Sequence, residues 1–148
     1  MNIYDYLKMD HDFVANLFKQ FKNAPSALRK QQIMEMIAQE LIVHAKSEQD
    51  SFYKALLQHP QSKEDAQHGK REHEEITNQI NTIMNWEKPD AKWIKQVEKL
   101  QELVDHHVHE EEHSIFRHAK RVLSKEEAYI LKEQMHFLKH KLLKRLGS

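Results

Sequence analysis

Between His106 and Phe116 the chain reads HHVHEEEHSIF, with four histidines and three glutamates in its first eight positions. Imidazole nitrogens and carboxylate oxygens ligate first-row divalent cations and also form general acid–base pairs, so this stretch carries the donors for either chemistry. Aligned without gaps, HVHEEEHSIF from His107 matches HAKSEQDSFY from His44, and both stretches carry His-x-x-x-Glu. Residues four apart lie one turn apart on one helix face. Each pair, His44 with Glu48 and His107 with Glu111, therefore aims an imidazole and a carboxylate at one point.

Such pairs act together only if helices hold them inward. Two glycines, three prolines and no alternating strand pattern point to an all-α chain. Five periodic segments run from about Tyr4 to Lys22, Leu28 to Gln58, Ser62 to Trp86, Asp90 to Leu123 and Ser124 to Leu146. Ser62 with Asp65, and Ser124 with Glu127, read as capping boxes, and Asp90 as a cap. Short connections make consecutive helices antiparallel, which predicts an up-down four-helix bundle with an added C-terminal helix in a single domain, 1–148.

The core stripes of that bundle read Leu7, His11, Val14, Phe18, Phe21; then Ile37, Leu41, His44, Glu48, Ser51, Ala55; then Ala66, Gly69, His73, Ile76, Ile80, Ile83; and last Val97, Leu100, Val104, His107, Glu111, Ser114, His118, Val122. Every stripe carries polar groups. Glu48 lies 11 residues before His59 and His73 11 after Ser62, so antiparallel helices at about 1.5 Å per residue bring them level. Two carboxylates and four imidazoles in an apolar core are costly unless paired. A multivalent cation would pair them; a purely structural buried network is the competing reading. Catalysis by His and Glu without a metal would need a nucleophile or pocket that the sequence does not display.

The remaining polar groups have plainer readings. Glu110, Glu112, Gln49 and Asp50 fall off the stripes and are expected in solvent, as are His106, His109 and His113. His136 and His140, four apart, form an exposed pair that could take a surface ion; His68, five before His73, sits about 140° round the helix from it. Near the C-terminus Leu138, Leu142 and Leu143 are expected to face the bundle. The charges balance at 23 basic and 23 acidic residues, so no field favours nucleic acid or an anionic membrane. The absence of cysteine removes thiolate ligands, disulfides and cysteine nucleophiles. No apolar run approaches the ~20 residues of a membrane span and MNIYDYLKMDHD lacks a secretion signal's pattern, so a cytoplasmic protein is expected.

MDHD around His11, HAKSEQDSFY, REHEEI around His73 and HVHEEEHSIF occur in order on four predicted helices, and together they resemble the hemerythrin-like, or HHE cation-binding, domain. The resemblance implies a non-haem di-iron centre, oxo- or hydroxo-bridged, with His11, His44, Glu48, His73, His107 and Glu111 as ligands and Glu48 and Glu111 as bridging carboxylates. The oxygen-carrying members have a further histidine one turn before the helix 3 ligand and a carboxylate five residues after the helix 4 histidine. Here those positions are Gly69 and Glu112. The four-histidine, two-glutamate set is more similar to the branch concerned with iron-centre repair and nitric oxide. Of about twelve positions on two six-coordinate irons, about two stay open, which suits dioxygen, nitric oxide or peroxide as the partner. Reaction with such a ligand in oxidative or nitrosative stress is the implied function; a non-catalytic oxygen- or iron-binding module is the alternative.

Overall fold

The computed structural model describes residues 1–147. Five helical rods and no strand are found among the described residues. Helix α1 is Ile3–Asn23. Helix α2 is Ala27–Glu48, continued through a π turn, Gln49–Tyr53, into Lys54–Leu56. Helix α3 is Lys63–Met84, and α4 is Ala91–Glu110 continued through a second π turn, Glu111–Ile115, into Phe116–Val122. Helix α5 is Lys125–Leu146. No described helix is long and apolar enough to cross a membrane.

Local chemistry sets the helix starts. Asn2, Ser26 and Asp90 accept from the backbone N–H three residues on, and Ser124 with Glu127 makes the reciprocal capping box. Each such cap is worth about 1 kcal/mol. Ser62 departs from its predicted box: its hydroxyl donates instead to the Leu56 carbonyl at 2.8 Å, tying the end of α2 to the turn before α3.

Helices α1 and α2 form one hairpin and α3 and α4 another, while α5 lies against α1 and α2. The apolar interior is in two parts. One cluster, around Phe18, Phe21, Ile37, Ile80, Trp93 and Leu100, fills the end with the α1–α2 and α3–α4 turns. The other, around Ile3, Leu7, Phe52, Leu56, Phe116 and Met135, fills the opposite end. A buried side chain of these types contributes roughly 1.5–3 kcal/mol, so the two clusters clamp the bundle from both ends and hold the polar layer between them.

The π turns fall immediately after Glu48 and at Glu111, within one residue of equivalent places in the repeated motif. Each inserts one residue into the helical count, which turns everything beyond it to a new face. Thus Phe52 and Leu56 are buried rather than Ala55, and Ile115, Phe116, Ala119 and Leu123 rather than Ser114, His118 and Val122. His118 leaves the core altogether and bonds Asp65 at 2.7 Å from a part-exposed position. Ala128, Leu131 and Met135 anchor α5, with Leu138, Leu142 and Leu143 only half-buried.

Candidate metal centre

Helix α1 brings in His11, α2 His44 and Glu48, α3 His73, and α4 His107 and Glu111. None is more than 7% exposed. Successive imidazoles are neighbours, with ring centroids 5.2 Å apart for His11 and His44, 6.4 Å for His44 and His73, and 4.7 Å for His73 and His107. Every Nε2 turns inward. His73 and His44 stand 3.2 and 3.4 Å from Glu48 Oε1; His11 stands 3.2 Å from Glu111 Oε1 and His107 3.6 Å from Glu111 Oε2.

Those separations exceed the ~2.7–2.9 Å of a charge-assisted hydrogen bond. They approach the spacing of donors around an ion: ligands at ~2.0–2.1 Å lie about 3 Å apart in an octahedron and about 3.3 Å apart in a tetrahedron. The four Nε2 atoms, both oxygens of Glu48 and Oε1 of Glu111 are buried without a hydrogen-bond partner. A buried orphan of this kind is costly, and seven aimed at one space are what a cation would satisfy. Donors within 4.8 Å of one another fall into two groups, Glu48 with His73, His107 and Glu111, and His11 with His44 and Glu111. The residues present fit a metal site.

The outer nitrogens are held quite differently. Asp10 of α1 meets His44 Nδ1 of α2 at 2.9 Å, and Gln49 of α2 places its amide 3.0 Å from His73 Nδ1 of α3. Glu72 of α3 meets His107 Nδ1 of α4 at 2.8 Å, and Glu112 of α4 meets His11 Nδ1 of α1 at 2.7 Å. The four contacts close a ring in which each helix orients the next helix's imidazole. Each of these partners adjoins a cluster residue in sequence: Asp10 with His11, Gln49 with Glu48, Glu72 with His73, Glu112 with Glu111. One residue is about 100° round a helix, so the neighbour of an inward residue points sideways at the adjacent helix. Gln49, Glu112 and Glu110, expected in solvent, are thus engaged with His73, His11 and His68. Asp50 and His113 do face solvent. Lys139 of α5 completes one side of the ring at 2.5 Å from Asp10 Oδ1.

The field in the cluster favours positive charge. Burial alone would lower His44, but Asp10 and Glu48 raise it to about 10; burial is likewise outweighed at His11, which Glu111 and Glu112 raise to about 9. At His73 burial prevails over Glu48 and the pKa is lowered. Burial pushes Glu48 up, yet His44 and His73 together hold it well below the usual carboxylate range. The sites that attract protons are those that would attract a multivalent cation.

Tyr53, the last residue of HAKSEQDSFY and on none of the predicted stripes, also joins the cluster. Its hydroxyl donates to Glu111 Oε2, its ring stacks on His73 with centroids 5.3 Å apart, and burial with Glu111 and Glu48 nearby drives its pKa far up. It occupies the space beside Gly69, where a Cβ would lie 2.5 Å from the hydroxyl oxygen and 2.6 Å from Cζ. A side chain at position 69 and this tyrosine exclude each other. Beside the imidazoles a cavity of about 20 Å³ remains, lined also by Val14, Leu41, Ile76 and Val104.

The sequence profile of the hemerythrin HHE cation binding domain matches residues 2–119. The chain belongs to that family. Helix α5, with Lys139, therefore lies beyond the family profile while still touching the ring of this hemerythrin-like site. A DNA nickase from Nostoc sp. (strain PCC 7120) is similar at 26% identity over 148 residues, taking in 100% of this chain and 42% of the nickase. The chain thus spans less than half the length of that relative. No solved structure matches the chain significantly.

Proposed function

We propose that His11, His44, Glu48, His73, His107 and Glu111 hold two iron ions, and that this centre binds or reacts with dioxygen, nitric oxide or peroxide in stress protection or iron-centre repair. The observation that supports this reading is the seven orphaned donor atoms facing one another between two apolar clusters. Iron there would supply one-electron redox chemistry and open positions for a small ligand.

The chain's own residues do the rest. Glu111 places one oxygen near His11 and the other near His107, so it spans the two donor groups and is positioned to keep two ions together. Glu48 sits between His44 and His73 from the other side, with Oε1 facing both nitrogens and Oε2 also unpartnered. The carboxylates of Asp10, Glu72 and Glu112 keep protons on the Nδ1 side of His44, His107 and His11, leaving those Nε2 lone pairs free to face inward. At His73 it is the amide nitrogen of Gln49 that lies 3.0 Å from Nδ1, and the same bias there requires the amide turned so that its oxygen accepts. Tyr53 holds a proton at its hydroxyl beside Glu111. The cavity accepts something the size of one water or a diatomic molecule, and its apolar lining favours an uncharged one.

Stopped-flow mixing of the reduced, iron-loaded protein with each of the three ligands tests this reading. Repeated turnover supports an enzyme, a stable reversible adduct supports the carrier or sensor alternative, and no reaction with any of them contradicts both. The nickase relative suggests a second reading, strand scission of DNA by the same donor set. The burial of the cluster weighs against it, since a 20 Å³ cavity has no room for a phosphodiester. Relaxation of supercoiled plasmid that is lost in Glu48→Gln would favour scission over the small-ligand reading.

A further inference from the structure

A second convergence of donors lies on the outer face of α3 and α4. His68 Nε2 is 2.6 Å from Glu110 Oε2 and 3.5 Å from Glu72 Oε2. On the other side of the same two carboxylates, His106 Nε2 is 3.4 Å from Glu72 Oε2 and 3.3 Å from Glu110 Oε1. Each helix again contributes His-x-x-x-Glu, as His68 with Glu72 and His106 with Glu110. The spacing is that of the buried pairs, and the antiparallel contact of α3 and α4 turns these two pairs toward each other.

We propose that His68, Glu72 and Glu110, with His106 at the rim, form a second and solvent-open site for a divalent first-row transition ion. Nitrogen and oxygen donors in this ratio suit zinc, manganese or ferrous iron. One nitrogen and two carboxylate oxygens lie within 4.8 Å of one another. Three of the four imidazole–carboxylate separations, at 3.3–3.5 Å, stand near the ~3.3 Å imposed by a tetrahedral ion rather than at hydrogen-bond length. Only the His68–Glu110 contact must open to admit one. Glu72 is pre-set for the role: it is 8% exposed, and His107 Nδ1 engages its Oε1, which leaves Oε2 turned outward to both imidazoles. The same carboxylate then serves both places, orienting His107 on the inside and ligating on the outside.

The outer site shares Glu72 with the ring around the buried cluster, so its test varies only His68 and Glu110 and reads the two sites separately. Untagged protein with its buried metal already in place is titrated with Zn²⁺ by calorimetry, alongside His68→Ala and Glu110→Gln, both at substantially solvent-exposed positions. Buried metal is counted by mass spectrometry after brief EDTA treatment, and far-UV circular dichroism reports the fold. The expected result is one further Zn²⁺ equivalent in the wild type, removed rapidly by EDTA. In both variants that equivalent should weaken at least tenfold while the buried count and helicity stay unchanged. No further equivalent in the wild type, or equal binding in the folded variants, would overturn the proposal and leave the four side chains as an ion-pair network.

Discussion

Removing Asp10 tests whether the outer ring orients the cluster. Asp10 is 5% exposed and is held as a carboxylate: burial raises its pKa, but His44 and Lys139 together outweigh that and bring it below the ordinary value. Its Oδ2 accepts from His44 Nδ1 at 2.9 Å, which in the neutral, metal-binding imidazole puts the one proton on the outer nitrogen and the lone pair on Nε2. In Asp10→Ala that bias disappears, and His44 is free to carry its proton on Nε2, 3.4 Å from Glu48, where it blocks a cation. A hydrogen bond to a charged partner contributes about 1.5–3 kcal/mol, which as a tautomer bias corresponds to a roughly 10- to 100-fold loss of metal affinity. Asp10→Asn keeps an acceptor without its charge and should lose less. The assay is release of bound metal to a chromogenic chelator: the alanine variant should release faster and bind more weakly, with helicity unchanged. Wild-type affinity and release in Asp10→Ala, with His44→Ala abolishing binding, would refute the orienting role.

Gly69→Ala should destabilise although alanine is the better helix former: the gain of about 1 kcal/mol in propensity is opposed by an overpacking cost of about 1–3 kcal/mol against Tyr53. Urea unfolding checks this, and stabilisation by the full propensity gain would count against the close approach. Tyr53→Phe leaves Glu111 Oε2 without its donor in a fully buried layer, so the metal-free protein should lose about 1–3 kcal/mol by the same measurement. The Ser124–Glu127 box gives a pH signature. The Ser124 backbone and hydroxyl lower the Glu127 pKa, so its stabilisation is present above the ordinary glutamate value and is lost as pH falls through the folded value. Unfolding curves of wild type and Glu127→Gln should therefore converge on acidification from pH 6 to pH 3; a constant gap would contradict the box.

Where 3.6-residue periodicity holds, sequence and structure agree. The stripes of α1 and α3 are buried throughout, and Asp90 and Ser124 cap as their spacing implies. Periodicity fails where the backbone inserts a residue: after Glu48 and at Glu111 the π turns shift the buried face by one, so His118 and Ser114 leave the stripe and Phe116 and Ala119 join it. The six cluster residues escape that shift because they lie at or before the insertions. The orienting ring was hidden for another reason. Gln49 and Glu112 read as solvated on a helix taken singly, Asp10 and Glu72 carry no signal of their own, and only the neighbouring helix supplies the imidazole each one meets. Ser62 shows the same limit in a loop, its hydroxyl preferring the Leu56 carbonyl over its own helix.

The most direct test of the two-iron centre is a metal count. Untagged protein prepared under reducing, iron-replete conditions and desalted should retain about two irons per chain by plasma mass spectrometry. That content should fall sharply in His44→Ala and in Glu111→Ala, with the helical fold retained. Well below one iron per chain in the wild type, or a content that His44→Ala leaves unchanged, would contradict the account.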